Sequence, residues 1–180
     1  MSTPHLDAQA IYASLLAQLK QSVGNEPVLL VGIHTGGAWV AQQLAQDLLA
    51  ANDRPPADGQ PPVIELGFLS SAFHRDDIAR RGLPSSMKAT QLPMSIDDRD
   101  IVLIDDILFT GRTIRAALNE LFDYGRPQSV RLAVLVDRGG RQLPVQADYC
   151  GATIELDSGQ SLRLSQDTTG RLDLQRIEQA

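Results

Sequence analysis

The stretch Ile101-Val102-Leu103-Ile104-Asp105-Asp106-Ile107-Leu108-Phe109-Thr110-Gly111-Arg112-Thr113 decides the reading of this 180-residue chain. Its opening apolar run marks a strand covered on both faces. Asp105 and Asp106 stand at the carboxyl end of that strand, and Gly111 permits a tight turn. Behind the turn, Ile114, Ala117, Leu118, Leu121 and Phe122 follow the i, i+3, i+4, i+7, i+8 spacing of an amphipathic helix. The turn therefore faces the positive end of a helix, where backbone amides and the Thr110 and Thr113 hydroxyls make a phosphate cradle. Adjacent carboxylates repel unless a cation or a hydrogen-bond donor lies between them, and sugar hydroxyls with a divalent cation supply both. In that order the pieces describe a site for a ribose 5-phosphate. The bland alternative is that the two acids end a strand and Thr110 to Thr113 merely starts a helix.

Outward from this segment the same alternation repeats. Ile11, Leu15, Leu16 and Leu19 predict an amphipathic helix, and Val28 to Ile33 a buried strand. A Gly-containing turn, His34 to Gly37, leads into a second helix with Val40, Leu44, Ala45, Leu48 and Leu49 on its apolar stripe. Asn52 to Pro62 reads as a loop, Val63 to Leu69 as a strand, and Phe73 to Pro93 shows neither period. Val130 to Val136 is another buried strand. Beyond it ATIEL, SLRLS and RLDL, separated by turn residues, read as short strands or a hairpin, and His5 falls in a frayed terminus. Strands alternating with helices predict an α/β protein with a parallel sheet covered on both faces and ligands at the carboxyl ends of its strands.

Composition limits the partners. The length suits one domain over residues 1–180, and 43% hydrophobic with 21% charged residues is ordinary globular usage. A formal charge of −6 is the wrong sign for a general polyanion binder, and 4% aromatics cannot build an extensive base-stacking surface. Lys20 and Lys88 are the only lysines against 14 arginines, whose planar forks suit phosphate, although a biased genome gives the same count. Cys150 is the single cysteine, read as a small buried apolar residue. No signal-peptide pattern or bilayer-length apolar run occurs, which points to a soluble cytoplasmic protein and no membrane partner. Walker, zincin and hydrolase-elbow patterns are missing from the sequence.

The central segment resembles the phosphoribosyl pyrophosphate signature of type I phosphoribosyltransferases. The stretches LLVGIHTGG, FHRDD, GRPQSVRLAVLVDRGGRQLPVQADYCG and the strand-rich tail resemble, in the same order, the pyrimidine-operon attenuator/uracil phosphoribosyltransferase family. That resemblance implies a type I phosphoribosyltransferase fold: a mostly parallel sheet flanked by helices, with a small hood from the C-terminal and N-terminal segments. It implies that Asp105 and Asp106 hold the ribose hydroxyls and that Ile107, Leu108 and Phe109 lead into Thr110, Gly111, Arg112 and Thr113, which bind the 5-phosphate. His34, Thr35, Gly36 and Gly37 would form the pyrophosphate loop, Arg75 a mobile loop over the leaving group, and Arg138 with the neighbourhood of Leu162 the base site. The implied reaction forms UMP and pyrophosphate from uracil and phosphoribosyl pyrophosphate, with Mg²⁺ held mainly through the substrate's pyrophosphate. The implied assembly is a homodimer or homotetramer, and some family members bind pyrimidine leader RNA.

Three positions depart from relatives in the superfamily. Gly36 stands where a cation is common and His74 where a Tyr is usual; His74 reads either as a proton donor or as a solvated loop histidine. Phe109 replaces the titrating Asp of 6-oxopurine enzymes. It cannot handle a purine proton, which favours a pyrimidine; the alternative is that it packs under the helix. Two further readings stay open: a non-catalytic nucleotide-sensing RNA-binding attenuator, with Arg80, Arg81, Arg138 and Arg141 on a basic face, and a phosphoribosyltransferase for another base.

Overall fold

The computed structural model describes residues 5–23, 26–51, 63–70 and 89–178. Two sheets organise them. The larger is parallel, with strands β2 (Val28–Ile33), β3 (Ile64–Leu69), β4 (Asp100–Leu108), β5 (Ser129–Asp137) and β6 (Tyr149–Thr153) in the order β3-β2-β4-β5-β6. Its central strand is the quoted segment, and Val102, Leu103 and Ile104 are wholly inaccessible, as a doubly covered parallel strand requires. Helix α2 (Gly36–Ala51) covers one face with α1 (Ala8–Val23), and α3 (Arg112–Tyr124) covers the other.

The smaller sheet is antiparallel: β1 (His5–Leu6), β8 (Leu172–Glu178) and β7 (Gln160–Gln166), in the order β1-β8-β7. It joins both ends of the chain, because His5 pairs with Gln175 and Leu6 with Leu174. His5 thus belongs to a strand, contrary to the frayed terminus expected. The tail also divides differently. SLRLS and RLDL form the β7–β8 hairpin, whereas ATIEL is only grazed by β6, whose Cys150 pairs in parallel with Val134 of the large sheet.

The helices are registered by their buried stripes. Ala8, Tyr12, Leu15, Leu19 and Val23 line the inner face of α1, so Ile11 and Leu16 flank the core rather than lead it. Leu49 and Phe122, assigned to apolar stripes from spacing, are 49% and 42% exposed. Each lies one position past its buried neighbour, Leu48 or Leu121, and the 100° step per residue carries it out of the covered sector. Cys150 is half-buried rather than buried, in the edge strand β6. Among the described residues no helix is long and apolar enough to cross a membrane.

Candidate active site

The carboxyl ends of β2 and β4 bring the two glycine-bearing turns together. After β2, the His34 amide donates to Leu69 O (2.9 Å), and the His34 ring stacks on Phe68 with centroids 5.4 Å apart. Thr35 is exposed, while Gly36 and Gly37 are buried where α2 begins. Both glycines are required by proximity. A Cβ on Gly37 would lie 2.4 Å from Ile104 O, and one on Gly36 would lie 2.2 Å from Asp106 Oδ2. The loop after β2 is therefore pressed directly against the acids of β4.

Those acids are not equivalent. Successive residues of a strand leave on opposite faces. Asp105 is buried at 6% exposure and spends Oδ1 on the Asp106 amide (3.0 Å), whereas Asp106 is half-buried with its carboxylate against Gly36. That divergence separates the two charges and eases the repulsion expected between adjacent acids. Among the described residues no three His, Cys, Asp or Glu converge into a metal cage. Two hard carboxylate oxygen donors suit Mg²⁺, which keeps several waters and takes one or two carboxylates together with substrate phosphates.

Beyond the acids, Ile107 is half-buried, Leu108 buried and Thr110 half-buried. Gly111 takes φ 88°, a left-handed turn that glycine adopts without penalty. It caps α3 without a side-chain cap, leaving first-turn amides for an anion. Thr110 Oγ1 accepts from the Arg112 amide (3.3 Å); Arg112 is exposed and Thr113 half-buried.

A second segment, 138–145, wraps this turn. The Arg138 amide donates to Leu108 O (3.0 Å), and the Gln142 and Leu143 amides donate to Thr110 O (3.0 and 3.2 Å). The Arg141 guanidinium donates to Phe109 O (2.5 Å) and Val145 O (3.1 Å) and pairs with Asp137. Val145 closes over Gly111, where an added Cβ would meet its side chain at 3.2 Å. Phe109 does not pack under the helix: its ring is 43% exposed, lies against Gly140, and carries the Arg138 guanidinium 4.1 Å above its centre. Arg138 also donates to Ser161 Oγ and Gln160 O, both at 3.2 Å, so one side chain spans from the phosphate turn to β7. Burial lowers its pKa from the usual arginine value.

Leu162 points into the core at 7% exposure, and it is its neighbour Ser161 that accepts a hydrogen bond from Arg138. Sequence reading placed Arg141 on a basic face rather than at this turn, and did not single out Gln142, Leu143 or Val145. The available signal was Gly139-Gly140 directly after a strand, both at φ 71°. Arg75, His74, Arg80 and Arg81 lie outside the described residues.

Residues 4–164 match the family model for the phosphoribosyl transferase domain. A bifunctional protein PyrR from Ralstonia nicotianae is 47% identical over 94% of this chain and 92% of its own length. Another from Nitrosococcus oceani is 42% identical over 96% and 94%. Among solved structures, a hypoxanthine phosphoribosyltransferase from Staphylococcus aureus superposes with a TM-score of 0.58 at 22% identity, covering 88% of this chain and 79% of that one. A Leishmania tarentolae HGPRT-ase in complex with GMP gives 0.57 at 19% identity over 86% and 82%. At these identities the structural likeness carries the fold, a parallel sheet flanked by helices, as expected from the alternation of elements. By domain match and by near full-length kinship, the protein belongs to the phosphoribosyltransferase family, in its branch of bifunctional PyrR proteins.

Proposed function

We propose that the protein is a uracil phosphoribosyltransferase, forming UMP and pyrophosphate from uracil and phosphoribosyl pyrophosphate. The observation that carries this reading is the apposition, at the carboxyl end of the parallel sheet, of an acid-bearing strand end, a glycine turn opening a helix and a non-titrating aromatic ring beneath an arginine. Asp106, with Asp105 behind it, holds the ribose hydroxyls, and Thr110 to Thr113 hold the 5-phosphate. Thr35, Gly36 and Gly37 receive the pyrophosphate by backbone amides, and Arg75 offsets its charge. Ile107 and Leu108 hold the turn to the strand, and Phe109 and Arg138 face the base.

In the reaction the bond from the anomeric carbon to pyrophosphate breaks as the bond to uracil N1 forms, and the N1 proton leaves. No protein nucleophile takes part. The chain contributes positioning and charge complementarity to a transition state of oxocarbenium character, where a misplacement of about 1 Å can cost roughly a hundredfold. Mg²⁺, held mainly through the pyrophosphate, would neutralise charge on the leaving group when bound, with Asp106, the more open of the two acids, as the fitting protein donor and Asp105 behind it.

Regulatory binding of pyrimidine leader RNA is the second half of the reading, supported by kinship with proteins named bifunctional. Of the arginines considered for a basic face, Arg138 and Arg141 are committed to contacts within the protein. We place the protein in the cytoplasm as a homodimer or homotetramer. The test is turnover with phosphoribosyl pyrophosphate and a panel of uracil, cytosine, hypoxanthine and guanine. Uracil alone should yield nucleotide; a purine as best acceptor sinks the assignment. Filter binding of leader RNA at several salt concentrations checks the second half: affinity falling steeply with salt supports it, and no binding removes it.

A further inference from the structure

The Arg138 guanidinium is held on three sides. Its main chain is tied to Leu108 O, its Cζ lies over the Phe109 ring 4.1 Å from the centroid, and its terminal nitrogens reach Ser161 Oγ and Gln160 O of β7. Two of the five N–H donors of an arginine go to β7, and Nε is buried with no hydrogen-bond partner. A buried Nε–H is closed to a ligand, so the donors left for a base are the second hydrogens of Nη1 and Nη2, beside the ring that flanks the base site. Uracil presents two carbonyl acceptors on its edge, and arginine is a donor only. Among the described residues, Ser161 supplies the one side-chain hydrogen bond to Arg138, since Gln160 contributes its carbonyl.

Resting on the uracil reading above, we propose that Ser161 is a positioning residue for base recognition. Its hydroxyl pins the Arg138 guanidinium over Phe109 and so holds the remaining Nη hydrogens at the pyrimidine edge. Without that pin a long side chain regains rotamer freedom and the donors lose their fixed direction. The 5-phosphate turn is held separately, by Arg141 and the 142–143 amides, so the effect falls on the base and not on the sugar phosphate.

Ser161→Ala should raise KM for uracil roughly fivefold to tenfold, the scale of one lost hydrogen bond, with kcat and KM for phosphoribosyl pyrophosphate held within about twofold. By calorimetry it should weaken UMP by the same factor and leave ribose 5-phosphate unchanged. Ser161→Thr keeps the hydroxyl and should bind like the parent. Arg138→Lys cannot bridge both β7 acceptors while covering the ring, and it should show the same selective loss of UMP. Added to Arg138→Lys, Ser161→Ala should do nothing more, because it acts through the arginine. Unchanged uracil KM in Ser161→Ala, or UMP and ribose 5-phosphate weakening together, overturns the proposal. If the parent protein binds UMP no better than ribose 5-phosphate, the uracil reading itself fails; if it prefers UMP and Ser161→Ala preserves that preference, only the positioning role fails.

Discussion

The parallel-sheet side of the candidate site and the small-sheet side are built on different terms. On the parallel sheet, the acids and the phosphate turn come from one run of chain, residues 105–113, and their neighbours are mostly backbone atoms: Ile104 O against Gly37, and Thr110 O accepting from 142 and 143. On the small sheet, Ser161 and Gln160 come from an edge strand whose one partner is β8, itself paired with β1 from the start of the chain, and they reach the site only through the Arg138 side chain. Backbone-built geometry tolerates little; side-chain reach can be loosened one bond at a time. Substitutions on the sheet side should therefore be severe and those toward the small sheet graded.

The sharpest test of that difference is Gly36→Arg. Kinship suggests that a cation here would help neutralise the leaving group. The packing says the opposite, because a Cβ at 36 falls 2.2 Å from Asp106 Oδ2 and 2.9 Å from Asp106 Cβ. Turning the carboxylate relieves the first contact and not the second, since backbone fixes Cβ. On the ribose-holding role proposed for Asp106, displacing it should lower kcat/KM for phosphoribosyl pyrophosphate by about a hundredfold. A rise in kcat/KM would show that β4 yields without cost and would erase the contrast.

A middle-sized effect is expected at Arg141, which ties Phe109 O, Val145 O and the Asp137 carboxylate together. Arg141→Gln removes the ion pair and most of the fork. Ribose 5-phosphate should bind roughly tenfold more weakly, the scale of one charge-assisted hydrogen bond, with Tm lower by a few degrees. If Tm falls and ribose 5-phosphate binding holds, segment 138–145 supports the fold and not the turn.

The same contrast explains what could be read from the sequence. Ile101 to Thr113 was legible because strand, acids, turn and helix follow one another without a gap, and each has a local signature. The small sheet was not, since nothing in MSTPHLD announces that His5 will pair with Gln175. β6 was hidden because Tyr149 to Thr153 lacks a run of branched apolar residues; it forms against β5 and under α1, where Ile11 lies so close that a Cβ on Gly151 would meet Ile11 O at 2.7 Å. Ser161 was missed, and Arg141 read as part of a basic face, for a related reason. Their importance is in a partner far along the chain, and a polar residue gives no periodic signal. Leu162, expected near the base, is a core residue, one position from the side chain that bonds Arg138.

The smallest expected effect lies where the two regions are tied together away from the chemistry. Helix α1 follows β1 of the small sheet, and its Tyr12 hydroxyl donates to Asp47 Oδ2 of α2 at 2.6 Å. Burial first, then the hydrogen bond and the charge of Asp47, raises the Tyr12 pKa above its ordinary value of 10.0. The folded protein thus keeps this proton where the unfolded chain gives it up. The bond's contribution is full below pH 10 and declines above it, as ionisation stabilises the unfolded state. Tyr12→Phe should cost about 1 kcal/mol in urea unfolding at neutral pH, and its deficit should shrink above pH 10. UMP and ribose 5-phosphate affinities should stay at the parent values, because Arg138 already holds β7 to the turn. Weakened UMP binding in this variant would mean that the base site depends on how α1 carries the small sheet, and that the two sides of the site share one support.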